Sequence, residues 1–244
     1  MNKRFPYKNK RVFLLWSGGL DSTFLIYHLL RGGARVEAGY VKVLNNEEKA
    51  KREEKAIKKL VKEFRSNDDW KDTGIFNYLG VLQEVLIKRS QNAVDLLQVP
   101  LWMNSMVLTM GSGFVIDCVA LGYVMGDCAI SYLDDIKKVY KAYEGFSGKK
   151  FPPIVFPLKK FNKNGIFQAL PERFLKHVTC CERDPEWCGE CKPCRTWMEC
   201  EYSRDFPEYA RHFVDKRKIP EITTIIADVD AEKSVNLLKK ANGE

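Results

Sequence analysis

RVFLLWSGGLDSTFLIYHLL, residues 11–30, places an apolar run, a serine–glycine turn and a second apolar run in immediate succession. The first run reads as a strand, the second as a helix, and the hexapeptide SGGLDS, Ser17 to Ser22, as the turn joining them. Gly18 and Gly19 let the backbone turn tightly and approach an anion with no Cβ in the way, while the N–H groups that open the helix carry partial positive charge. Ser17, Ser22 and Thr23 add hydroxyl donors. These features together describe a phosphate cradle. A Walker-type loop would carry a lysine before its serine or threonine to reach the terminal phosphates; Asp21 stands at that place, which argues against γ-phosphoryl transfer. A turn that merely connects strand to helix is the simpler alternative, and the completeness of the motif in its strand-to-helix setting weighs against it.

Working outward, Gly32 and Gly33 stop the helix near Arg31, and ARVEAGYVKV (34–43) reads as a second strand. Residues 46–65 form a charged helix with Ala56, Ile57, Leu60, Val61 and Phe64 at helical spacing. This βαβα alternation predicts an α/β fold, a doubly wound parallel sheet whose ligands bind beyond the carboxyl ends of its strands. The segment VLTMGSGFVIDCVALGYVM (107–125) is long enough to raise a membrane span, for which roughly 18 apolar residues suffice. Asp117 and several glycines interrupt it. The expectation is a buried helix over 104–118 feeding a core strand through Met125, with the loop after Met125 at the same sheet edge as SGGLDS. Residues 66–73 read as a loop and 77–99 as strand and helix pieces. FPPIVFPL (151–158) is extended by its prolines and closes the sheet region, and 159–176 is helical in part.

With 244 residues the chain can bury a large core. Its 40 Lys and Arg against 32 Asp and Glu give a net charge of +8, but the charges lie in mixed-sign stretches such as KAKREEKAIKKLVKEFR, the pattern of a solvated helix face rather than of a nucleic-acid stripe. No apolar segment precedes the first strand in MNKRFPYKNKR, so a cytoplasmic chain with reduced cysteines is expected.

Five of the eight cysteines fall in CCERDPEWCGECKPC (180–194). Its last seven residues repeat the Cys-x-x-Cys step, which brings Cys188, Cys191 and Cys194 to one centre, and Cys180 or Cys181 supplies a fourth thiolate to a tetrahedral zinc site with Zn–S bonds of about 2.3 Å. The set adopted here is Cys180, Cys188, Cys191 and Cys194. An iron–sulfur cluster, with Cys200 as another fourth ligand, is the competing assignment; zinc is preferred because nothing else in the chain suggests redox work. Cys118 and Cys128 read as buried packing thiols, and His28, His177 and His212 as structural or surface residues. The expected organisation is a phosphate-binding α/β domain over 1–176, followed over 177–244 by the cysteine segment and a helical extension.

SGGLDS resembles the pyrophosphate (PP) loop of the ATP pyrophosphatase superfamily, with its adenine nucleotide alpha hydrolase-like fold, whose members split ATP between the α and β phosphates and adenylate a carbonyl or carboxylate oxygen. SGGLDS and CGECKPC, in this order and at this separation, are similar to the two end motifs of 7-cyano-7-deazaguanine synthase. Between them, VPLWMN (99–104) stands where that family opens a helix with Pro-x-Arg-Asn, Gly126 follows as the glycine of its strand end, SYLDD (131–135) occupies the place of its Tyr-Pro-Asp-Cys-Arg segment, and Lys163 falls at its lysine. The resemblance implies ATP, Mg²⁺ and Zn²⁺ as cofactors, with Ser17, Asp21 and Ser22 as catalytic residues and Trp16, Gly18, Gly19, Leu20, Thr23 and Gly126 completing the ATP site. It implies Asn104, Asp127, Tyr132, Asp134, Asp135 and Lys163 as contacts to a deazaguanine substrate. It implies ammonia as the second substrate, is compatible with a homodimer, and calls for neither a membrane nor a nucleic acid. Met103 and Ile136 stand where the family carries basic residues, so the ATP half is intact and the acceptor half altered. A relative that joins the deazaguanine acid to another amine, a tRNA-thiolating enzyme and a degenerate nucleotide-binding module are the alternatives.

Overall fold

The computed structural model describes residues 6–44, 46–66, 70, 73–85, 104–105, 115–181 and 188–202. Its centre is a sheet of five strands: β1 (Arg11–Leu15), β2 (Arg35–Val43), β3 (Ile75–Val85), β4 (Cys118–Ala120) and β5 (Ile154–Val155), in the order β3-β2-β1-β4-β5. Every pairing is parallel. The helices are α1 (Leu20–Arg31), α2 (Glu47–Ser66), α3 (Leu133–Ser147), α4 (Lys163–Ala169), α5 (Glu172–Leu175) and α6 (Lys192–Tyr202), with a 3₁₀ turn over Cys128–Tyr132.

Alternation along β1 divides the core. Val12, Leu14 and Trp16 face one side and pack with Leu25 and Leu29 of α1, Leu60 and Phe64 of α2, Phe167 of α4 and Phe174 of α5. Phe13 faces the other with Val119, Ile154, and Ile136 and Tyr140 of α3. Burial on both faces explains why β1, β2 and β4 are apolar almost throughout, and helices on both faces make the sheet doubly wound. Trp16 anchors the larger core by edge contacts to Phe64, Phe76 and Tyr78 at 5.7–5.8 Å. The cysteine segment shares that core: Val178, Trp197 and Cys200 belong to it, and Trp197 meets Phe167 edge-on at 4.9 Å.

One element departs from the sequence expectation. The strand over the apolar 107–125 segment begins at Cys118 and ends at Ala120, so Cys118 is strand rather than the end of a helix, and the backbone from Leu121 to Met125 leaves the sheet. Leu121 and Val124 stay buried, which is why their apolar character read as strand. The 106–114 part of the expected helix, Met103, His212 and the expected helical extension beyond Tyr202 lie outside the described residues. Among the described residues no helix is long and apolar enough to cross a membrane.

Gly74 enters β3 against the end of α1: a Cβ there would stand 2.7 Å from the Leu30 carbonyl oxygen and 3.2 Å from that of Ala34. Backbone cannot rotate out of the way as a side chain can. Gly74→Ala is therefore expected to cost about 1–3 kcal/mol in urea unfolding, the overpacking range, with the slope of the transition unchanged.

Candidate active site

The strand order reverses at β1, with β2 on one side and β4 on the other, and the crevice beyond those carboxyl ends is where an open α/β sheet receives a ligand. Two loops meet there. The first is SGGLDS, leaving β1; Gly18 has φ of 72° and Gly19 takes the N-cap position of α1, with no side chain capping the helix. A Cβ at Gly18 would lie 3.2 Å from Ala56 Cβ and 3.3 Å from Ile57 Cγ1, so both conformation and space call for glycine. The uncapped N-terminus leaves first-turn N–H donors for an anion. Ser17 is exposed at the mouth, while the Ser22 hydroxyl donates to the Gly19 carbonyl at 3.3 Å and trims the turn.

The second loop leaves β4. Gly122 lies beside the Asp21 backbone, where a Cβ would stand in ordinary contact at 3.7 Å. The Met125 N–H donates to the Phe161 carbonyl at 2.7 Å, which ties this loop to the entry of α4 and delivers Lys163 to the crevice. Asn162 caps α4 by accepting from the Gly165 N–H at 2.6 Å. Lys163 forms an ion pair with Asp21 and lies 3.5 Å from Asp127, whose other oxygen accepts from the Val124 N–H at 2.9 Å. One cation thus bridges a carboxylate from the β1 loop and one from the β4 loop. Burial pushes the Asp21 carboxyl above the ordinary aspartate range; Lys163 pulls it down and Asp127 pushes it further up. Among the described residues Asp21 Oδ1 is buried with no hydrogen-bond partner.

Other expected site residues fall elsewhere. Trp16 and Thr23 are buried and satisfy each other, indole N–H to Thr23 Oγ1 at 3.0 Å, so their side chains brace the loop from beneath. Leu20 packs on the core, Asn104 is exposed, and Gly126 is an exposed turn with φ of 95°. Tyr132 is exposed, and Asp134 and Asp135 pair within the first turn of α3 with Lys137 at 3.1 Å and Lys138 at 2.8 Å. Ile136 points into the core beside Phe13 and Val119, where no basic side chain would fit. The contribution of Lys163 to Asp21 was not legible from spacing, and neither was Glu53 of α2. Glu53 accepts from the Tyr40 hydroxyl at 2.7 Å, and its carbonyl lies 3.4 Å from the Gly18 Cβ position; burial raises its carboxyl pKa. Nothing in the mixed-sign α2 sequence singles Glu53 out.

A second group lies beside the loop. The Sγ atoms of Cys181, Cys188, Cys191 and Cys194 all fall within 4.8 Å of one another, so Cys181 and not Cys180 completes the four-thiol cage. Neighbouring residues of an extended segment point to opposite sides. Cys181 is buried with Cys191 and Cys194, whereas Cys180 lies between the cage and the main core. The Cys191 N–H donates to Cys188 Sγ at 3.4 Å around the left-handed Gly189, the turn a Cys-x-x-Cys ligand pair requires. Cys180 is still close enough to share a thiol hydrogen bond with Cys194, which with other nearby donors pulls the Cys194 thiol down to about 5 and raises Cys180. Four convergent thiols with a low-pKa member fit a thiophilic metal in tetrahedral coordination.

The family profile described as thiamine biosynthesis protein (ThiI) matches residues 7–173, from the entry of β1 into α5. The chain belongs to the ThiI family of PP-loop ATP-utilising enzymes. No curated protein gives a significant match. Among solved structures, the U34-tRNA thiolase NcsA from Methanococcus maripaludis with its [4Fe-4S] cluster is similar at 15% identity and a TM-score of 0.44, over 82% of this chain and 68% of that one. The NMN synthetase from Francisella tularensis is similar at 14% identity and a TM-score of 0.38, over 84% and 80%. The narrower resemblance to 7-cyano-7-deazaguanine synthase is carried by motif order alone.

Two outcomes test this geometry. Asp21→Asn is expected to raise the melting temperature at pH 7, because the folded protein then no longer holds a buried carboxylate whose pKa is raised. The unfolded chain releases that proton more readily, so the difference develops as pH rises past the ordinary aspartate pKa and vanishes below it. An unchanged or lower melting temperature at pH 7 would show that Asp21 is not held at a cost. For the cage, Cys181→Ser is expected to purify with most of its metal lost and Cys180→Ser with its metal retained, read by elemental analysis.

Proposed function

We propose that this ThiI-family chain cleaves ATP to AMP and pyrophosphate and adenylates an acceptor oxygen in the crevice between β1 and β4. The observation that carries this is Lys163 held between Asp21 and Asp127 in front of an uncapped helix N-terminus. The β and γ phosphates rest on the N–H groups of the SGGLDS turn, with the Ser17 and Ser22 hydroxyls beside them. Mg²⁺ shares their charge when bound, and Asp21 and Asp127 are the carboxylates placed to hold it. Lys163, released from Asp21 as the phosphates arrive, neutralises charge that builds on the departing pyrophosphate. Pairing it in advance keeps the lysine oriented without a large rearrangement.

The acceptor proposed is 7-carboxy-7-deazaguanine: one ATP converts its carboxylate to an adenylate, ammonia displaces AMP to give the amide, and a second ATP adenylates the amide oxygen, which departs with AMP as the nitrogen loses its protons to give the nitrile; the order of SGGLDS, Gly126, Lys163 and CGECKPC along the chain supports it. The metal proposed for the cage is Zn²⁺ in a structural role, because the four thiols close the coordination sphere. A thiolating reaction is the second reading, favoured by Cys180 lying as a fifth thiol against the cage. The purified protein incubated with ATP, Mg²⁺, ammonia and 7-carboxy-7-deazaguanine is expected to yield AMP, pyrophosphate and the nitrile by mass spectrometry. ADP and phosphate as the only nucleotide products would overturn the cleavage; AMP with no consumption of the acid would move the acceptor to the thiolation reading. Lys163→Met is expected to lower kcat by about a hundredfold or more, the size seen when one preorganised charge donor is removed, with the fold retained.

A further inference from the structure

The thiol cage and the glycine loop are joined by two short paths. The first is the backbone of 178–181. Thr179 donates its N–H to the Gly18 carbonyl at 3.0 Å, and its own carbonyl lies 3.6 Å from the Cβ position of Gly19. Two residues later the Cys181 side chain enters the cage. The second path is α2. Arg52 donates from Nη2 to the Cys181 carbonyl at 3.0 Å, and the next residue, Glu53, places its carbonyl against Gly18. Gly18 is thus held between two elements that both end at Cys181.

We propose that Arg52 is a positioning residue that couples the cage to the nucleotide loop, so that metal bound by Cys181, Cys188, Cys191 and Cys194 tightens nucleotide binding at SGGLDS; this rests on the nucleotide role proposed for that loop. Among the described residues Arg52 Nε and Nη1 are buried with no hydrogen-bond partner, so the guanidinium depends on negative charge nearby, to which the Glu53 carboxylate contributes. Four thiolates around a divalent ion leave a net charge of about −2 on the cage, which a guanidinium already fixed on the Cys181 carbonyl offsets. Without metal, the thiols add only weak S–H contacts to the Arg52 bond that holds the Cys181 carbonyl, so the Thr179 N–H on the Gly18 carbonyl is less firmly fixed. A glycine loop that needs a positive φ at Gly18 and an open N-terminus at Gly19 loses preorganisation when that support loosens.

Coupling of this kind is reciprocal. The full chain is prepared metal-free with a chelator under reducing conditions and again loaded with Zn²⁺, and each form is titrated with α,β-methylene-ATP and Mg²⁺ by calorimetry. The loaded form is expected to bind the analogue about tenfold more tightly, within the usual range of such couplings, and the analogue is expected to raise Zn²⁺ affinity in a chelator competition by the same factor. Arg52→Met is expected to keep both ligands and lose the factor, and Arg52→Lys to restore part of it, with far-UV circular dichroism unchanged. Equal analogue affinity in the two forms, with the fold intact, overturns the coupling and leaves the nucleotide reading standing. Analogue binding in neither form overturns both. Because the wild-type reciprocity requires no substitution, a misfolded Arg52 variant does not decide the outcome.

Discussion

A half-buried carboxylate in the first turn of a helix depends on a cation, and the arrangement around Asp21 follows from that need. Asp21 opens α1 beside the sheet's point of reversal, where burial disfavours its charge and Asp127 disfavours it further. Lys163 is the counter-charge, and the chain brings it from more than a hundred residues away by tying the β4 loop to the entry of α4 through Met125 and Phe161. The two loops share one lysine, which pairs with Asp21 and lies 3.5 Å from Asp127. The fold therefore holds charge in place before any ligand arrives, and electrostatic catalysis asks for that form of preorganisation.

Local signals carried the first half of the fold. β1, α1, β2 and α2 begin and end within a residue or two of where periodicity and glycine stops put them, because each boundary is set by residues adjacent to it. The apolar 107–125 segment was harder. Cys118 to Leu121 are buried throughout and show no alternation, so length and composition cannot separate strand from covered loop, and β4 proved to be three residues long. The same limit governed the cysteines: spacing requires that one of Cys180 and Cys181 join the cage, and only the direction of the extended backbone selects Cys181. Ile136 shows the converse. Read against a family it marks a missing base, whereas on α3 it is a core residue whose neighbours leave no room for one.

The two halves of the crevice differ in what the fold supplies. On the phosphate side, SGGLDS, Asp127 and Lys163 are assembled. On the acceptor side, Asp134 and Asp135 are paired with lysines of their own helix and Tyr132 faces solvent, so a deazaguanine acid would be held by groups other than these unless the pairs exchange. The cysteine segment shares a core with the sheet through Val178, Trp197 and Cys200, and its Thr179 N–H bonds the Gly18 carbonyl, so it packs against the SGGLDS loop rather than standing apart from it.

On the function proposed, the crevice between β1 and β4 holds ATP for cleavage next to its α phosphate. A crystal structure with Mg²⁺ and α,β-methylene-ATP tests it most directly. The account predicts the β and γ phosphates on the backbone of Gly18 to Ser22 and the Lys163 ammonium moved from Asp21 to a phosphate oxygen. A nucleotide seated elsewhere on the sheet, or in the crevice with the Lys163–Asp21 pair unchanged, would contradict it.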